Sequence, residues 1–412
     1  MTSVATLNVG SGSQKLALFR LEGDHLKGDA PADPVWEGRL DATAPHQPKD
    51  HLRLTIRAGT ETAEILVSRQ ASLRDKVRHL FDAVASGPVR GLQPSERLRV
   101  IGHRVVHGGE KFDRAVTIDA EVEAEIEQLG EFSPLHNPPQ LEAIRAAKAA
   151  CPDAVHVAVF DTAFHRTLAP EAYVYPGPHA WLERGIRRFG FHGTNFRYVY
   201  GRTSLLLGRA DDPELKMVIC HLGGGCSLAG VRGGRSVDTT MGFTPLDGIC
   251  MCTRSGTIDP GILLFLLRHG EQTGQLERTL NKESGLAGLS GLPGDTRILL
   301  PEAEGGNERA GLALKVFVHR LRQGIGSMIA SLGGIDALVF TDAIGESEPK
   351  MRAQACEAFG YCGLRIDPDL NSRAQPDTVV SSADSTVAVA VIKGREDWQI
   401  CKEAVALVAD TT

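Results

Sequence analysis

Several features that mark common classes of protein are scarce or absent in this sequence of 412 residues. Aromatic residues make up 5% of the chain, and the formal net charge is only -6, with no stripe of basic residues. Nucleic acids and anionic membranes are therefore poor candidates for partners, because clustered positive charge recognises both. No apolar run approaches the ~20 residues that span a bilayer. We also expect no secretory signal, because no basic segment near the N-terminus precedes an apolar run.

The common short motifs of several enzyme classes are missing as well. The chain has no Gly-Lys dipeptide and hence no P-loop, and it has no GxGxxG dinucleotide fingerprint. Neither a GxSxG nucleophile turn nor an HExxH zinc motif occurs. The usual hydrolase and metalloprotease signatures therefore give no support here.

The cysteines are not arranged as a metal or disulfide framework. Eight are scattered along the chain without a CxxC pair, and Cys250 and Cys252 have the wrong spacing for a zinc ribbon. We expect buried, reduced thiols in a cytoplasmic protein.

What the chain does contain is typical of an α/β protein with many tight turns. It has 45 glycines and 42% hydrophobic residues, and its length suits two domains. Strand-like runs alternate with helical patterns, which favours sheets covered by helices. Asn137, followed by two prolines, predicts the cap of one helix. Residues 28–74, rich in polar residues and proline, are expected to form a peripheral insertion.

One pattern occurs twice, about half a chain apart. Residues 7–13 and 220–226 each read as an apolar strand, a polar residue and Gly-x-Gly, followed by a second strand. Glycine in such a turn lets backbone N–H groups approach an anion closely. Two such hairpins suggest two domains of similar plan facing one cleft, although ordinary hairpins can give the same pattern.

Arginine, histidine, aspartate and glycine are concentrated in short segments after predicted strands. The ends of strands are where α/β folds place ligands. Arginine suits phosphate oxygens, and a carboxylate suits Mg²⁺. Together these segments predict a phosphoryl-transfer cleft. They are HRVVHGG (103–109), VFDTAFH (159–165), RFGFHGTN (188–195), DTTMGFTPLDG (238–248), TRSG (253–256) and GDTR (294–297).

In this order the segments resemble those of the acetate kinase family, in the superfamily of sugar kinases, Hsp70 and actin (ASKHA). The resemblance runs from residue 6 to 411. It also includes NVGSGSQK (8–15), SPLHNPP (133–139), HLGGG (221–225), SGLAGLSG (284–291) and VFTDAIGE (339–346). It implies an α/β fold of two duplicated ASKHA (ribonuclease H-like) βββαβαβα domains around a central cleft, in a homodimer. The first domain would comprise residues 1–161 with a C-terminal helix, 397–412, returning to it. The second would comprise 162–396 and carry the nucleotide-side motifs.

The resemblance implies a reversible, Mg²⁺- or Mn²⁺-dependent transfer of the γ-phosphoryl group of ATP to acetate, giving acetyl phosphate and ADP. Arg104 and Arg254 would flank the transferring group and the acceptor carboxylate, and His192 would bind the transferring phosphate. Asp161 would act through the metal or its water shell. Arg104, Asp161, His192 and Arg254 are thus the expected catalytic residues.

Further positions are assigned by the same resemblance. Residues expected at the metal are Asn8 and Glu396. Those expected to receive acetate, besides Arg104, are Val106, Leu135, Phe191 and Pro245. Those expected at the phosphates and the nucleotide are Ser11, Ser13, Lys15, His136, His221, Gly223, Gly225, Asp295, Thr296, Arg297, Ala343, Ile344, Gly345 and Ser347.

Elementary chemistry agrees with this assignment. A carboxylic acid of ordinary pKa is ionised at pH 7, so acetate needs no strong general base. Two anions must still be brought within reacting distance, and arginine, histidine and Mg²⁺ offset their repulsion. We therefore expect direct in-line transfer without a phosphorylated enzyme.

The sequence departs from the family pattern mainly on the phosphate and nucleotide side. Gly224 replaces a usual asparagine, Ala343 a usual glycine and Ser347 a usual asparagine. The segment that usually reads PTNEEL is KGREDW here (393–398), so Glu396 is retained in altered surroundings. The substitutions are compatible with an intact ATP site. An alternative is a different donor or acceptor, such as pyrophosphate, phosphate or another nucleotide. A non-catalytic nucleotide sensor or filament protein is a third reading, although it would need no acyl pocket between two arginines.

Overall fold

A computed structural model describes residues 2–10, 12–22, 30–42 and 48–410 of the chain. They divide into two compact units, one formed by residues 1–164 and 395–412, the other by residues 165–394. The first unit therefore includes Glu396, which the sequence analysis placed in the second domain. Each unit is described by itself.

The first unit is built on a mixed sheet. Its described strands are β1 (Thr2–Val9), β2 (Ser13–Leu21), β3 (Trp36–Asp41), β4 (His51–Ala58), β5 (Glu61–Ser68), β6 (Val100–Val105), β7 (Val116–Thr117) and β8 (Val155–Phe160), in the spatial order β5-β4-β3-β2-β1-β6-β8-β7. β1 pairs antiparallel with β2 but parallel with β6, which in turn runs parallel to β8. The carboxyl ends of β1, β6 and β8 therefore lie at one edge of the sheet.

Helices cover this sheet. Those described in the first unit are α1 (Leu73–Ser86), α2 (Ala120–Gln128) and α3 (Asn137–Ala150), with one more, Glu396–Asp410, at the end of the chain. This last helix packs on β1, β6 and β8. A Cβ on Gly102 of β6 would lie 2.6 Å from Ile400 Cγ2. The glycine thus allows the C-terminal helix to approach the strand that carries Arg104.

The segment predicted as a peripheral insertion belongs to the core instead. Its residues 28–29 and 43–47 lie outside the described residues. The described part forms β3, β4 and β5, which extend the sheet beyond β2. Trp36, Leu40, Leu54 and Ile56 are all fully buried and pack with residues of α1. The prediction failed because the abundant polar residues of this segment alternate with apolar ones, as in a strand with one buried face.

The second unit repeats the plan. Its described strands are β9 (Lys216–Leu222), β10 (Cys226–Arg232), β11 (Arg235–Thr239), β12 (Ala337–Thr341), β13 (Thr378–Val379) and β14 (Ala388–Val391), in the order β11-β10-β9-β12-β14-β13. An antiparallel β9–β10 hairpin is followed by β12 and β14, both parallel to β9 in direction. The order is that of β1, β2, β6 and β8, which confirms the duplicated α/β architecture.

The helices of the second unit are mostly short. Those described are α4 (Pro170–Tyr173), α5 (His179–Glu183), α6 (Gly193–Leu206), α7 (Pro260–Arg268), α8 (Thr273–Lys282), α9 (Gly285–Ser290), α10 (Thr296–Glu304), α11 (Glu308–Leu332), α12 (Asp342–Ser347), α13 (Pro349–Cys356) and α14 (Pro368–Ser372), so that the C-terminal helix of the first unit is α15. None of the helices among the described residues is long and apolar enough to span a bilayer.

The predicted cap of α3 is wrong by one residue. The helix begins at Asn137 itself, and His136 occupies the cap position. Asn137 is fully buried, accepts a hydrogen bond from the backbone N–H of His107 and donates to its carbonyl. The amide therefore fixes the loop that follows β6 rather than the start of its own helix.

Candidate active site

The first unit brings together Asn8, Arg104, Asp161 and Glu396. The first three lie at or just after the carboxyl ends of the parallel strands β1, β6 and β8, and Glu396 begins α15. Arg104 donates from Nε and Nη2 to Asp161 Oδ2, at 3.1 and 2.6 Å. Its Nη1 lies 3.1 Å from Glu396 Oε2, to which Asn8 Nδ2 also donates at 2.9 Å. The topology thus assembles four residues that are far apart in the sequence.

This network has more carboxylate than cation. One guanidinium faces two carboxylates, of which that of Asp161 is fully buried. Among the described residues no group of three or more His, Cys, Asp or Glu side chains is placed to hold a metal. Mg²⁺ does not require one, because it commonly takes one or two carboxylates together with water and substrate phosphates. The oxygens of Asn8, Asp161 and Glu396 fit that requirement.

Lys15 belongs to a neighbouring ionic network. Its Nζ lies 2.9 Å from Glu37 and 3.4 Å from Asp397, and Arg395 donates to Asp397 at 3.0 Å. Burial alone would lower the pKa of Lys15, but the charges of Asp397 and Glu37 raise it above its ordinary value. Arg395 also donates to Asp33 at 3.0 Å. The amino group at the predicted phosphate end of the first hairpin is therefore held by carboxylates.

The other predicted residues of the first unit differ in burial and in position. Ser11 lies outside the described residues. Ser13 begins β2, and its carbonyl accepts from the N–H of Gly10 at 2.8 Å. Val106 is buried, His136 is half-buried at the start of α3, and Leu135 is 42% exposed.

The second unit contains a glycine turn beside a half-buried arginine. Residues 223–225 connect β9 to β10, and an added Cβ on Gly225 would lie 2.7 Å from Arg254 Nη2. Arg254 Nη1 donates to the Pro245 carbonyl at 2.7 Å. Burial lowers the pKa of this guanidinium below its ordinary value, which still leaves it charged at neutral pH. No carboxylate of the described chain pairs with Arg254, so the cation is poised for an external anion.

Two stacked histidines lie beside this turn. The rings of His192 and His221 have centroids 4.0 Å apart and planes inclined by 21°. His192 precedes α6 with a left-handed backbone (φ 58°), and its Nδ1 lies 2.8 Å from Ser227 Oγ on β10. A Cβ on Gly225 would lie 3.5 Å from His192 Cε1 as well. His192, Arg254 and the glycine turn are therefore neighbours.

His221 is held by two residues that the sequence analysis did not single out. Asp342 Oδ2 lies 3.0 Å from His221 Nε2, and Asn195 Nδ2 lies 2.7 Å from His221 Nδ1. Asp342 also has a left-handed backbone (φ 64°). Its carboxylate lies so close to Gly223 that any Cβ there would clash with it. A signal was available, since this aspartate borders the substituted Ala343.

The predicted nucleotide loops are stabilised from within. Asp295 accepts from the N–H of Arg297 at the start of α10 and pairs with its guanidinium, which lowers the pKa of the Asp295 carboxyl. Thr296 Oγ1 donates to Glu348 at 3.0 Å. Ser347 Oγ donates to the Ala343 carbonyl at 2.6 Å. These contacts are thus made with the protein itself.

Arg352 is a structural residue of this region that sequence reasoning missed. It is only 2% exposed, and its Nη1 donates to the carbonyls of Gly345 and Glu346, each at 2.9 Å. Its Nε donates to Asn371 Oδ1 at 2.8 Å. Burial lowers the pKa of Arg352 to about 10. This arginine fixes the end of α12, where Ile344 and Gly345 are buried.

The residues predicted to receive the acyl group are divided between the units. Val106 and Leu135 belong to the first unit, Phe191 and Pro245 to the second. Phe191 is fully buried, and its carbonyl lies 3.0 Å from His165 Nε2. Pro245 supplies the carbonyl that Arg254 binds.

Two cysteines of the second unit contact the glycine turn. The thiols of Cys226 and Cys252 both donate to the Gly223 carbonyl, at 3.3 and 3.4 Å. Burial raises the pKa of the Cys252 thiol to about 11. Both are free thiols, and they support the turn as neutral donors.

Comparisons with known proteins agree over nearly the whole chain. The acetokinase family description matches residues 3–402. A protein of Gloeobacter violaceus named acetate kinase is 46% identical over 402 residues, covering 97% of this chain and 98% of that protein. An acetate kinase of Trichormus variabilis is 45% identical over 405 residues, with the same coverage.

Solved structures give the same result. The crystal structure of Porphyromonas gingivalis acetate kinase superposes with a TM-score of 0.87 at 32% identity, covering 99% of this chain and all of that one. A propionate kinase from Francisella tularensis also has a TM-score of 0.87 at 32% identity, covering 98% of this chain and all of that one.

Proposed function

The chain belongs to the acetokinase family, and from that premise we propose that it transfers a phosphoryl group reversibly between ATP and acetate, giving ADP and acetyl phosphate. The observation that carries this proposal is Arg254. It is a half-buried cation without a carboxylate partner in the described chain, and it lies beside a glycine turn and His192. Such a group stabilises an anion, and the transferring phosphoryl group is the anion of this reaction.

The acceptor needs little chemical activation by the protein. Acetate is ionised at neutral pH and is itself the nucleophile. The protein's task is to orient it in line with the phosphoryl group and to offset the negative charge of both. We assign Arg254 and His192 to the phosphoryl oxygens, and Arg104 to the acceptor carboxylate. A stable phosphate on Asp161 or His192, detected by mass spectrometry after incubation with acetyl phosphate, would contradict direct transfer.

A divalent cation would be held by the first-unit network. Asn8, Asp161 and Glu396 offer oxygens that suit Mg²⁺ or Mn²⁺. When bound, the ion neutralises charge on phosphate oxygens. Asp161 has a second task, because three contacts with Arg104 orient that guanidinium.

We assign the nucleotide to the second unit. The backbone of the 223–225 turn would face its phosphates, assisted by His221, while the loops of Asp295–Arg297 and Ala343–Ser347 would face the nucleoside. The close similarity to proteins named acetate kinase does not favour a different donor. Gly224, Ala343 and Ser347 are then substitutions within a retained ATP site.

The acyl side is assigned to Val106, Leu135, Phe191 and Pro245. One additional methylene changes discrimination by only ~1–3 kcal/mol. Propionate is therefore expected to be a poorer but usable acceptor. The ratio of kcat/KM for acetate and propionate tests this assignment.

We further propose a homodimer in the cytoplasm, formed in part through α7. No residue of this helix is buried. Its large apolar side chains Ile262, Leu264, Phe265 and Leu267 are 43–57% exposed. Such an apolar surface fits a second copy of itself. Wild-type protein should elute as a dimer in light scattering and Leu264→Glu as a monomer. Leu66→Glu, on exposed β5 of the first unit, is the matched control. A monomeric wild type would refute the proposal.

The direct test of the reaction uses purified protein with acetyl phosphate, Mg²⁺ and ADP. ATP formation, followed by a coupled assay, is the expected result. A parallel reaction with inorganic phosphate in place of ADP serves as control. Pyrophosphate formation without ATP would overturn the assignment of the donor, and silence in both would overturn the proposed function.

A further inference from the structure

The loop that follows β11 determines where Arg254 points. Arg254 Nη1 donates to the Pro245 carbonyl at 2.7 Å, so the position of that carbonyl sets the direction of the guanidinium. Residues 243–248 of this loop are all only half-buried, and apolar packing therefore fixes them poorly. Hydrogen bonds to the rest of the second unit must hold Pro245 in place.

Arg188 binds the first part of this loop. Its Nη1 donates to the carbonyls of Thr239, Thr240 and Met241, at 2.7, 3.1 and 3.0 Å. Asp247 Oδ2, near the end of the loop, lies 3.9 Å from the same nitrogen. Successive carbonyls that face one point repel one another unless a cation lies there. The guanidinium of Arg188 therefore stabilises this bend of the chain.

A tyrosine hydroxyl and two backbone amides bind the next part of the loop. The N–H groups of Phe189 and Gly190 donate to the Gly242 carbonyl, at 3.0 and 3.3 Å. The N–H of Phe243 donates to Tyr175 Oη at 2.8 Å. A Cβ on Gly242 would clash with that hydroxyl oxygen, so glycine is needed for the close approach. The first half of the loop is therefore bound throughout to one neighbouring segment, residues 175–190.

The 175–190 segment is itself anchored. The N–H of Arg188 donates to the Tyr173 carbonyl at 2.8 Å. The buried guanidinium of Arg187 lies over the Tyr173 ring, 3.6 Å from its centroid, in a cation–π contact. At its other end the segment continues into His192, which lies near Arg254. One support thus leads to both side chains assigned to the phosphoryl oxygens.

The far end of the loop is held by a different set of contacts. Asp247 Oδ1 accepts from Thr257 Oγ1 at 2.6 Å and from the N–H of Gly248 at 2.8 Å. The N–H of Thr257 donates to the Gly248 carbonyl at 2.7 Å. The loop is thus held at both ends, with Pro245 between them. Loss of the Arg188 anchor should therefore displace Pro245 without unfolding the unit.

We propose that Arg188 and Tyr175 are positioning residues that fix the 239–248 loop. Through this loop they place the Pro245 carbonyl, which in turn directs Arg254 toward the transferring phosphoryl group. The inference rests on the proposed function, which assigns Arg254 to that group. Neither positioning residue needs to touch a substrate. Because their effect passes through one carbonyl to Arg254, it should disappear when Arg254 is absent.

The anchoring of the loop can be tested without an assay of activity. Hydrogen–deuterium exchange of the whole protein is compared for wild type and Arg188→Met, which keeps a long side chain without its charge. The amides of residues 239–248 should exchange about tenfold faster in Arg188→Met, the factor that corresponds to the loss of a charge-assisted hydrogen bond. Arg188→Lys keeps a cation with three donors, and its exchange rates should fall between the two. Wild-type exchange rates in Arg188→Met would overturn the proposal, whether or not the protein is active.

A milder variant guards against a folding failure. Tyr175→Phe removes a single oxygen, and the amides of the loop should exchange about threefold faster, as expected for loss of a neutral hydrogen bond. It undergoes the same tests as Arg188→Met and replaces that variant if the latter does not fold. Arg232→Met is the matched control, because Arg232 is an exposed arginine at the end of β10 that is remote from the 223–225 turn. It should leave the exchange of the loop and kcat unchanged.

A double-mutant cycle separates positioning from general damage. Arg188→Met should lower kcat for ATP formation by about 10²-fold, because a displacement of roughly 1 Å at a reacting group costs that much. In an Arg254→Ala background, the same change should lower kcat by no more than about twofold further, since residues that act as one unit are not additive.

The outcomes of this cycle distinguish the inference from the proposed function. A full additional loss of about 10²-fold in the Arg254→Ala background would overturn the positioning role of Arg188, and so would a wild-type kcat in Arg188→Met. A wild type that makes no ATP would instead refute the proposed function, while the exchange measurement still tests the anchoring of the loop.

Discussion

The two arginines assigned to the reaction are in opposite electrostatic states. Arg104 of the first unit is held by Asp161 and Glu396, both within 3.1 Å. Arg254 of the second unit binds a carbonyl and has no carboxylate partner within the part of the chain that the structure describes. The protein's own carboxylates already fix the orientation of Arg104, which we assign to the acceptor carboxylate, whereas Arg254 keeps its full charge for the phosphoryl anion. The same residue type thus does different work in the two repeats.

The largest expected effect comes from removing the unneutralised charge. Arg254→Ala should lower kcat for ATP formation by about 10³-fold, because an arginine acting on a transferring phosphoryl group contributes about 10³–10⁵ in rate. Its free energy of unfolding should change by only about 1 kcal/mol, since a single hydrogen bond is lost. Steady-state kinetics and urea unfolding measure the two quantities. A kcat of Arg254→Ala within a few-fold of the wild-type value would contradict the assigned difference between Arg254 and Arg104.

Removing the partner of the neutralised arginine, Arg104, should lower the stability of the protein more than removing Arg254 does. Asp161→Ala leaves Arg104 without its main partner, and breaking a buried ion pair costs about 3–5 kcal/mol. We expect a much larger loss of unfolding free energy than for Arg254→Ala, together with a loss of activity. Urea unfolding at pH 7.5 provides the comparison. Equal stability of the two variants would show that the Asp161–Arg104 pair does not organise its unit.

A third pair, outside the site, sharpens the comparison. Arg20 donates to both Glu96 oxygens, at 3.0 and 2.8 Å, and this bonding lowers the pKa of Glu96 to about 2. Because the folded-state pKa lies below the ordinary value of 4.5, the pair stabilises the fold above pH 4.5 and loses this contribution as pH falls toward 2. The Tm should therefore fall less steeply between pH 5 and 3 in Glu96→Gln than in wild type. An equal slope of Tm against pH in the two proteins would refute the link between the pKa of Glu96 and stability. The activity of Glu96→Gln at pH 7.5 should equal that of wild type.

The smallest effects are expected at the glycine turn itself. An added Cβ on Gly224 would have no atom within 4 Å, so Gly224→Asn should fold normally and change KM for ADP by no more than a few-fold. Gly223→Ala is the contrasting neighbour, because its Cβ would clash with Asp342 Oδ2. Measurements of KM for ADP and of Tm distinguish the two variants, since only Gly223→Ala should disturb the turn. A disruptive Gly224→Asn would show that the family's asparagine is incompatible with this turn.

Local motifs made much of this site predictable. The charged segments were expected at the ends of strands, and the resemblance to the acetate kinase family assigned Asn8, Arg104 and Asp161 to the site. The same resemblance assigned His192 and His221 to the phosphates, and the repeated Gly-x-Gly pattern predicted the 223–225 turn. Both expectations came from motifs and from the resemblance, whereas the order of the strands is a tertiary feature that the structure supplies.

Side-chain partners were less predictable. Asp342 contacts His221, 121 positions earlier in the sequence, and neither residue's local pattern indicates the other. Arg352 looks like a surface residue of a polar helix yet is buried against carbonyls of α12. The strands β3 to β5 were mistaken for an insertion because their polar face dominates the composition. These contacts depend on tertiary packing, which no local spacing encodes.

The most direct test of the central claim is the affinity of the resting protein for the anion. Isothermal titration with acetyl phosphate, in the presence of Mg²⁺ and without nucleotide, compares wild type with Arg254→Gln, which keeps the length of the side chain without its charge. We predict at least about tenfold weaker binding by Arg254→Gln, the minimum expected for loss of a charge-assisted contact. Equal affinities would contradict the assignment of Arg254 as the anion site.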